Sequence, residues 1–146
     1  MGTITTAMCN SFKQELLGGV HDLDTDTLKI ALIKNSPSGT YGAATTNYSN
    51  VTVNTDEVVG TNYVTGGNTL GSAVIALDGS TATVDFADTT WPSATISADG
   101  CIIYNYTQSN AAIAVIDFGG PRTSTNGDFT IQLPTADASN AIVRIA

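Results

Sequence analysis

Turn signals cut this chain at short intervals, and that spacing restricts its fold more than any other feature. Gly66-Gly67, Asp78-Gly79, Asp99-Gly100, Gly119-Gly120 and Asn126-Gly127 recur from residue 66 onward. Glycine and asparagine supply the backbone conformations that reversals need. Between them lie short runs rich in β-branched and aromatic residues. Such a chain makes many short strands. It lacks the alternation of strand and long helix that builds a parallel sheet.

The strands follow from the runs. Leu28, Ile30 and Leu32 alternate with Thr27, Lys29 and Ala31, the pattern of a half-buried strand. Residues 73–77 and 81–86 flank Asp78-Gly79 and read as a β-hairpin. Cys101–Tyr106 and Ala111–Phe118 flank Gln108-Ser109-Asn110 and read as a second hairpin. Trp91-Pro92 is expected to break pairing, because proline has no N–H to donate. Ile96 opens a short strand, Ser124–Gly127 forms a turn, and Asp128–Leu133 turns Phe129, Ile131 and Leu133 inward. Asp137–Asn140 is a further turn before a terminal strand over Ala141–Ile145. The expected fold is mainly β with one short N-terminal helix: an antiparallel β-sandwich or open barrel of about seven to eight short strands.

The helix is confined to a segment spanning residues 1–19. Ala7, Cys9, Phe12, Leu16 and Leu17 can share one face, Thr5 or Thr6 could cap its start, and Gly18-Gly19 stops it. So short a helix must pack on something, either as an anchor to a partner or as a cap on the open end of the sheet. Residues 34–56 form a long loop with a short strand expected at Val51–Val53. The whole of 1–146 reads as one β-sandwich-like domain.

Composition narrows the partners. The 146 residues carry 5 Lys+Arg against 13 Asp+Glu, a formal net charge of −8. A phosphate backbone and an anionic leaflet both call for cationic surface, so neither nucleic acid nor membrane is expected as a partner. No apolar run approaches the length of a spanning helix. The opening residues have neither the basic nor the apolar region of a secretory signal. Cys9 and Cys101 read as buried thiols rather than a disulfide framework.

No motif for catalysis assembles. His21 is the single histidine and has no cysteine at metal-ligand spacing. No Gly-x-Ser-x-Gly elbow occurs. Asp22, Asp24 and Asp26 lack the rest of a calcium loop and read as a solvated connector, in which a curl or solvent exposure is expected to relieve the repulsion of its charges. No catalytic residue, metal ligand or cofactor is therefore assigned. The residues expected to contact a partner are Phe12, Leu16, Tyr41, Tyr48 and Trp91. Tyr41 and Tyr48 stand out because tyrosine offers large amphipathic area from the long loop, while Trp91 beside Pro92 fits a lid over the core as well as a ligand platform.

Several stretches carry a resemblance. Residues 9–19 (Cys-Asn-Ser-Phe-Lys-Gln-Glu-Leu-Leu-Gly-Gly) run into His21-Asp22-Leu23-Asp24-Thr25-Asp26-Thr27-Leu28-Lys29. Further on come Glu57-Val58-Val59-Gly60-Thr61-Asn62-Tyr63-Val64-Thr65-Gly66-Gly67 and Val84-Asp85-Phe86-Ala87-Asp88-Thr89-Thr90-Trp91. Ala98-Asp99-Gly100 and the Cys101–Tyr106 strand complete the series. In this order they are similar to a group of small tailed-bacteriophage virion proteins, over nearly the whole chain. The resemblance implies a non-enzymatic virion structural protein, foremost a capsid decoration (cement) protein on the outer capsid surface. It would be made in the host cytoplasm and stabilise the shell through the major capsid protein. The class also implies a homo-oligomer, with a trimer as one form. Alternatives are a head–tail or tail/fibre-associated protein and a carbohydrate-binding adhesive module.

Overall fold

The computed structural model describes residues 1–146 and is mainly β with one short N-terminal helix, in an open arrangement of two antiparallel sheets. In chain order the elements are β1 (Ala7–Met8), α1 (Asn10–Leu17), β2 (Leu28–Lys34), α2 (Ser49–Thr52) and β3 (Asn68–Thr69). They continue with β4 (Val74–Asp78), β5 (Thr81–Asp85), β6 (Thr89–Asn105), β7 (Ala111–Ile131) and β8 (Val143–Ile145). The larger sheet has the order β1-β7-β6-β2-β3 and the smaller one β4-β5-β8. Neither sheet closes into a barrel, and both contribute to one apolar core that joins Ile30, Ile102 and Val115 to Val84, Phe86 and Val143.

The second hairpin is far longer than its apolar run suggests. β6 and β7 pair from Asn105↔Ala111 at the turn out to Thr89↔Ile131. The stretches expected to turn at 119–120 and 124–127, and the break expected at Pro92, are absorbed as irregularities inside this ladder. Register shifts fall between Trp91 and Ala94, Ala94 and Ile96, and Ala98 and Gly100. Positive φ at Ser93, Gly119, Gly120 and Asn126 accommodates the extra residues. Glycine and asparagine reach positive φ at low cost. A bulge uses that conformation as readily as a reversal does, and the partner strand decides between them.

Burial departs from simple alternation at the turn end of the ladder, where 101–105 and 111–115 are all buried. In β2, Ile30, Ala31, Leu32 and Ile33 are all fully buried, so both faces of this strand are covered. One cover is α1. Cys9 and Phe12 are fully buried, Leu16 is half-buried, and Leu17 is 92% exposed. The helix thus caps the sheet and is part of the core. It begins later than expected because Ala7 and Met8 pair with Val115 and Ala114 as β1. Neither threonine caps it: the Thr6 hydroxyl accepts from Asp117 N–H at 2.9 Å, and the residue before the helix is Cys9. Its C-terminus does end at the glycines, with Gly18, Gly19 and Val20 N–H groups donating to Gln14, Leu16 and Glu15 carbonyls.

Val51–Val53 is a helical turn, not a strand. Asn47 Oδ1 accepts from Ser49 N–H at 2.9 Å, and Asn50 Oδ1 accepts from Thr46 and Asn47 N–H groups. Local asparagine bonds of this kind favour turns over extended backbone. Val51 is buried beneath the turn. No helix is long and apolar enough to cross a membrane.

Candidate interaction surface

A buried carboxylate holds the long loop to the sheet, and a half-buried one holds the segment after it. Asp56 is fully buried. Its Oδ1 accepts from Ser38 N–H at 2.9 Å and Ser38 Oγ–H at 3.0 Å, and its Oδ2 accepts from Gly39 N–H at 2.7 Å and Tyr41 Oη–H at 2.6 Å. Lys34 Nζ lies 3.1 Å from Oδ1. Burial would raise this carboxyl's pKa, but the bonds from Ser38, Tyr41, Gly39 and Lys34 outweigh it and hold the group far below the usual carboxylate range. Burial and the same carboxylate push Tyr41 up to about 12.

Glu57 does the same for the neighbouring segment. It accepts from Tyr63 Oη–H at 2.8 Å, from Gly66 N–H at 2.6 Å, and from the Tyr48 hydroxyl. Burial and this carboxylate raise both tyrosines well above their ordinary values. Tyr48 also stacks on Tyr104 with ring centroids 4.5 Å apart.

Of the two ways to separate its charges, the connector takes the curl. Asp22 Oδ1 accepts from Asp24 and Thr25 N–H groups, and Asp26 Oδ2 accepts from Asp22 N–H, Asn105 Nδ2–H and Gln108 Nε2–H. Asn105 also bonds His21 Nδ1 at 3.0 Å. That contact assigns the ring proton to Nε2, which faces Glu15 Oε1 at 3.6 Å. Phe12 covers the imidazole with centroids 5.0 Å apart. The imidazole's neighbours are thus an amide, a carboxylate and a phenyl ring.

The five residues expected to reach a partner fall into different surroundings. Phe12, Tyr41 and Trp91 are buried by their own chain, at 0%, 1% and 2% exposure. Trp91 packs between Tyr63 and Phe129, with centroids at 5.7 and 6.1 Å. As partner contacts these three are corrected, since their own chain covers them: Tyr41 fills the space between loop and sheet, Phe12 is the buried face of α1, and Trp91 takes the place of a lid over the core, the other reading of Trp91-Pro92. Tyr41, Tyr48 and Trp91 do not line one exposed groove. Tyr48 is half-buried, and Leu16 lines a groove against the small sheet.

That groove, of about 380 Å³, runs between the end of α1, the His21–Leu23 connector and the small sheet. Leu16, Ile75, Val84, Val143 and Ile145 give it an apolar wall. Beside it, Val74, Ile75 and Leu77 of β4 are 54%, 53% and 74% exposed, and every residue of β4 is exposed. The sequence held a sign of this. Residues 73–77 are five consecutive apolar residues rather than a strict alternation. Such a run usually marks a strand covered on both faces. Here the chain leaves β4 uncovered.

A second concavity of about 510 Å³ opens along β7. Ile116, Phe118, Ile131 and Leu133 are among its lining residues, with Arg122 and Asp128 as its charged groups. Cys9 and Cys101 are free, fully buried thiols, raised by burial to about 11 and about 12. No group of three or more His, Cys, Asp or Glu side chains is placed to share a metal ion. Set against protein-family models, curated proteins and solved structures, the chain matches none.

Proposed function

We propose that this chain is a non-enzymatic structural protein of a tailed-phage virion, acting as a capsid decoration protein that contacts the major capsid protein. The observation that carries the structural part is the use of the carboxylates. Asp56 and Glu57 spend their acceptor oxygens on loop backbone N–H groups and tyrosine hydroxyls, with Lys34 beside Asp56, and Asp26 at the connector accepts from the Asn105 and Gln108 side-chain amides, all within the chain. They make a rigid loop scaffold instead of converging on a cavity.

The resemblance in order of motifs supplies the phage and capsid part. The surface suits many shallow contacts: Val53, Val59 and Val64 are 76%, 93% and 72% exposed on the stapled segment. The net charge of −8 fits an outward face away from packaged DNA.

The test is a particle reconstruction of a phage that encodes this chain, with mass spectrometry of purified capsids and tails. Regular copies over capsomer joints support decoration. Density confined to the neck, tail or fibre would replace it with the tail-associated reading. Absence from purified particles would overturn both.

A further inference from the structure

β4 is an edge strand with no protection. Edge strands are normally blunted by lysine, proline, a bulge or a covering loop, because their unpaired N–H and C=O groups template pairing. β4 reads Val-Ile-Ala-Leu-Asp, pairs with β5 in unbroken register, and has nothing hydrogen-bonded along its other side in the sheet order.

The hydrogen-bond phase of this edge follows from its turn. Asp78↔Thr81 closes a two-residue loop, Gly79-Ser80, with Gly79 at φ +62° as a primed turn demands. The closing pair is hydrogen-bonded, and such pairs alternate along an antiparallel ladder. Asp78, Ala76 and Val74 therefore direct their backbone groups at β5. Ile75 and Leu77 direct theirs outward.

We propose that β4 pairs with β4 of a second copy of this chain, antiparallel about a two-fold axis through Ala76. The two three-stranded sheets then become one continuous sheet. Ala76 is the middle of the five residues, so this register alone pairs all of them. It sets Ile75 against Leu77 of the second copy and Leu77 against Ile75, the two residues whose N–H and C=O groups face outward. Both pairs are hydrogen-bonded.

Opposite residues in a sheet share a face. Ile75 lines the apolar groove and Leu77 lies two residues on, so the two copies form one apolar row on the groove side. Asp78 falls opposite Val74, whereas a parallel pairing would set Asp78 against Asp78. Backbone bonds alone would accept any strand; the second copy is favoured because the two-fold register sets its own Ile75 and Leu77 against each other and keeps each Asp78 away from the other.

The exposed apolar area of Val74, Ile75 and Leu77 from two copies amounts to roughly several hundred Å², short of the ~1,200 Å² of a standard interface. The dimer is accordingly expected at micromolar rather than nanomolar concentration.

The test is disulfide trapping with sedimentation velocity on the full chain. Ala76 faces itself across the axis in a non-hydrogen-bonded pair, where Cα atoms approach within disulfide range. Ala76→Cys should crosslink readily under mild oxidant, and Val74→Cys, which faces Asp78, should not. The native thiols are buried and give no background. Leu77→Lys, at a site 74% exposed, should keep the circular dichroism spectrum and weaken self-association about tenfold or more. A chain that stays monomeric at high micromolar concentration overturns the proposal. So does equal crosslinking by Val74→Cys, or a trimer in which Ala76→Cys stays reduced. None of these outcomes bears on whether the chain resides on a capsid.

Discussion

Replacing Asp56 with asparagine isolates what one buried carboxylate does for the long loop. The two oxygens accept from two backbone N–H groups and two hydroxyls. In Asp56→Asn one oxygen becomes an NH₂ group. Whichever way the amide turns, that group faces either Ser38 N–H or Gly39 N–H, donor against donor. The hydroxyls can rotate away, but the backbone donor is stranded. A buried unsatisfied donor costs about 1–3 kcal/mol, and lost bonds to a charged acceptor are worth about 1.5–3 kcal/mol each. The Lys34 pair adds little, since its ammonium is partly exposed. A net loss of about 3–5 kcal/mol is expected, a large share of the ~5–15 kcal/mol typical of a domain.

The assay is urea unfolding followed by the fluorescence of Trp91, the single tryptophan and a buried one. The pH dependence gives a second reading. Asp56 is depressed in the folded state, so its contribution is present above the unfolded carboxyl value near ~3.9 and is lost as pH falls through the folded value. Wild type should lose stability steadily as pH drops below about 4. The variant should show a shallower fall over the same range. A loss under about 1 kcal/mol, with an unchanged acid slope, would refute the claim that this carboxylate staples the loop.

Three further outcomes follow. Phe12→Ala should cost about 3–5 kcal/mol in the same denaturation assay, because α1 caps the core; a cost near zero would return the helix to a peripheral anchor. Gly67→Ala should fold poorly or not at all, since φ is +77° and a Cβ there would overlap the Ile30 carbonyl; soluble expression with wild-type melting would contradict it. Cys9 and Cys101 should resist a thiol reagent at neutral pH in the native state and react fully in urea, because burial raises both thiols; rapid native labelling would count against their placement.

Much of the fold was legible in local signals. The 73–86 hairpin, the glycine stop of the helix, the buried thiols and the mainly β class all rest on interactions within a few residues or on simple burial preference. The aromatic residues were less legible. Tyr41 and Trp91 sit in polar or proline-containing stretches that look like surface loop, yet they are buried because Asp56, Tyr63 and Phe129, distant in sequence, come to meet them.

By itself the sequence determined where this chain can bend and which residues prefer extended backbone, since glycine, asparagine and β-branched side chains act on their own φ and ψ. Only the tertiary structure decided what each bend became. The same positive φ that reverses the chain at Gly79 makes a bulge at Gly119 and Gly120, because β6 continues past them and offers a partner. Likewise the apolar run of β4 shows in the sequence, but its exposure does not. A strand's burial depends on which elements pack over its faces, and β4, paired only with β5 along one edge, is left with every residue exposed.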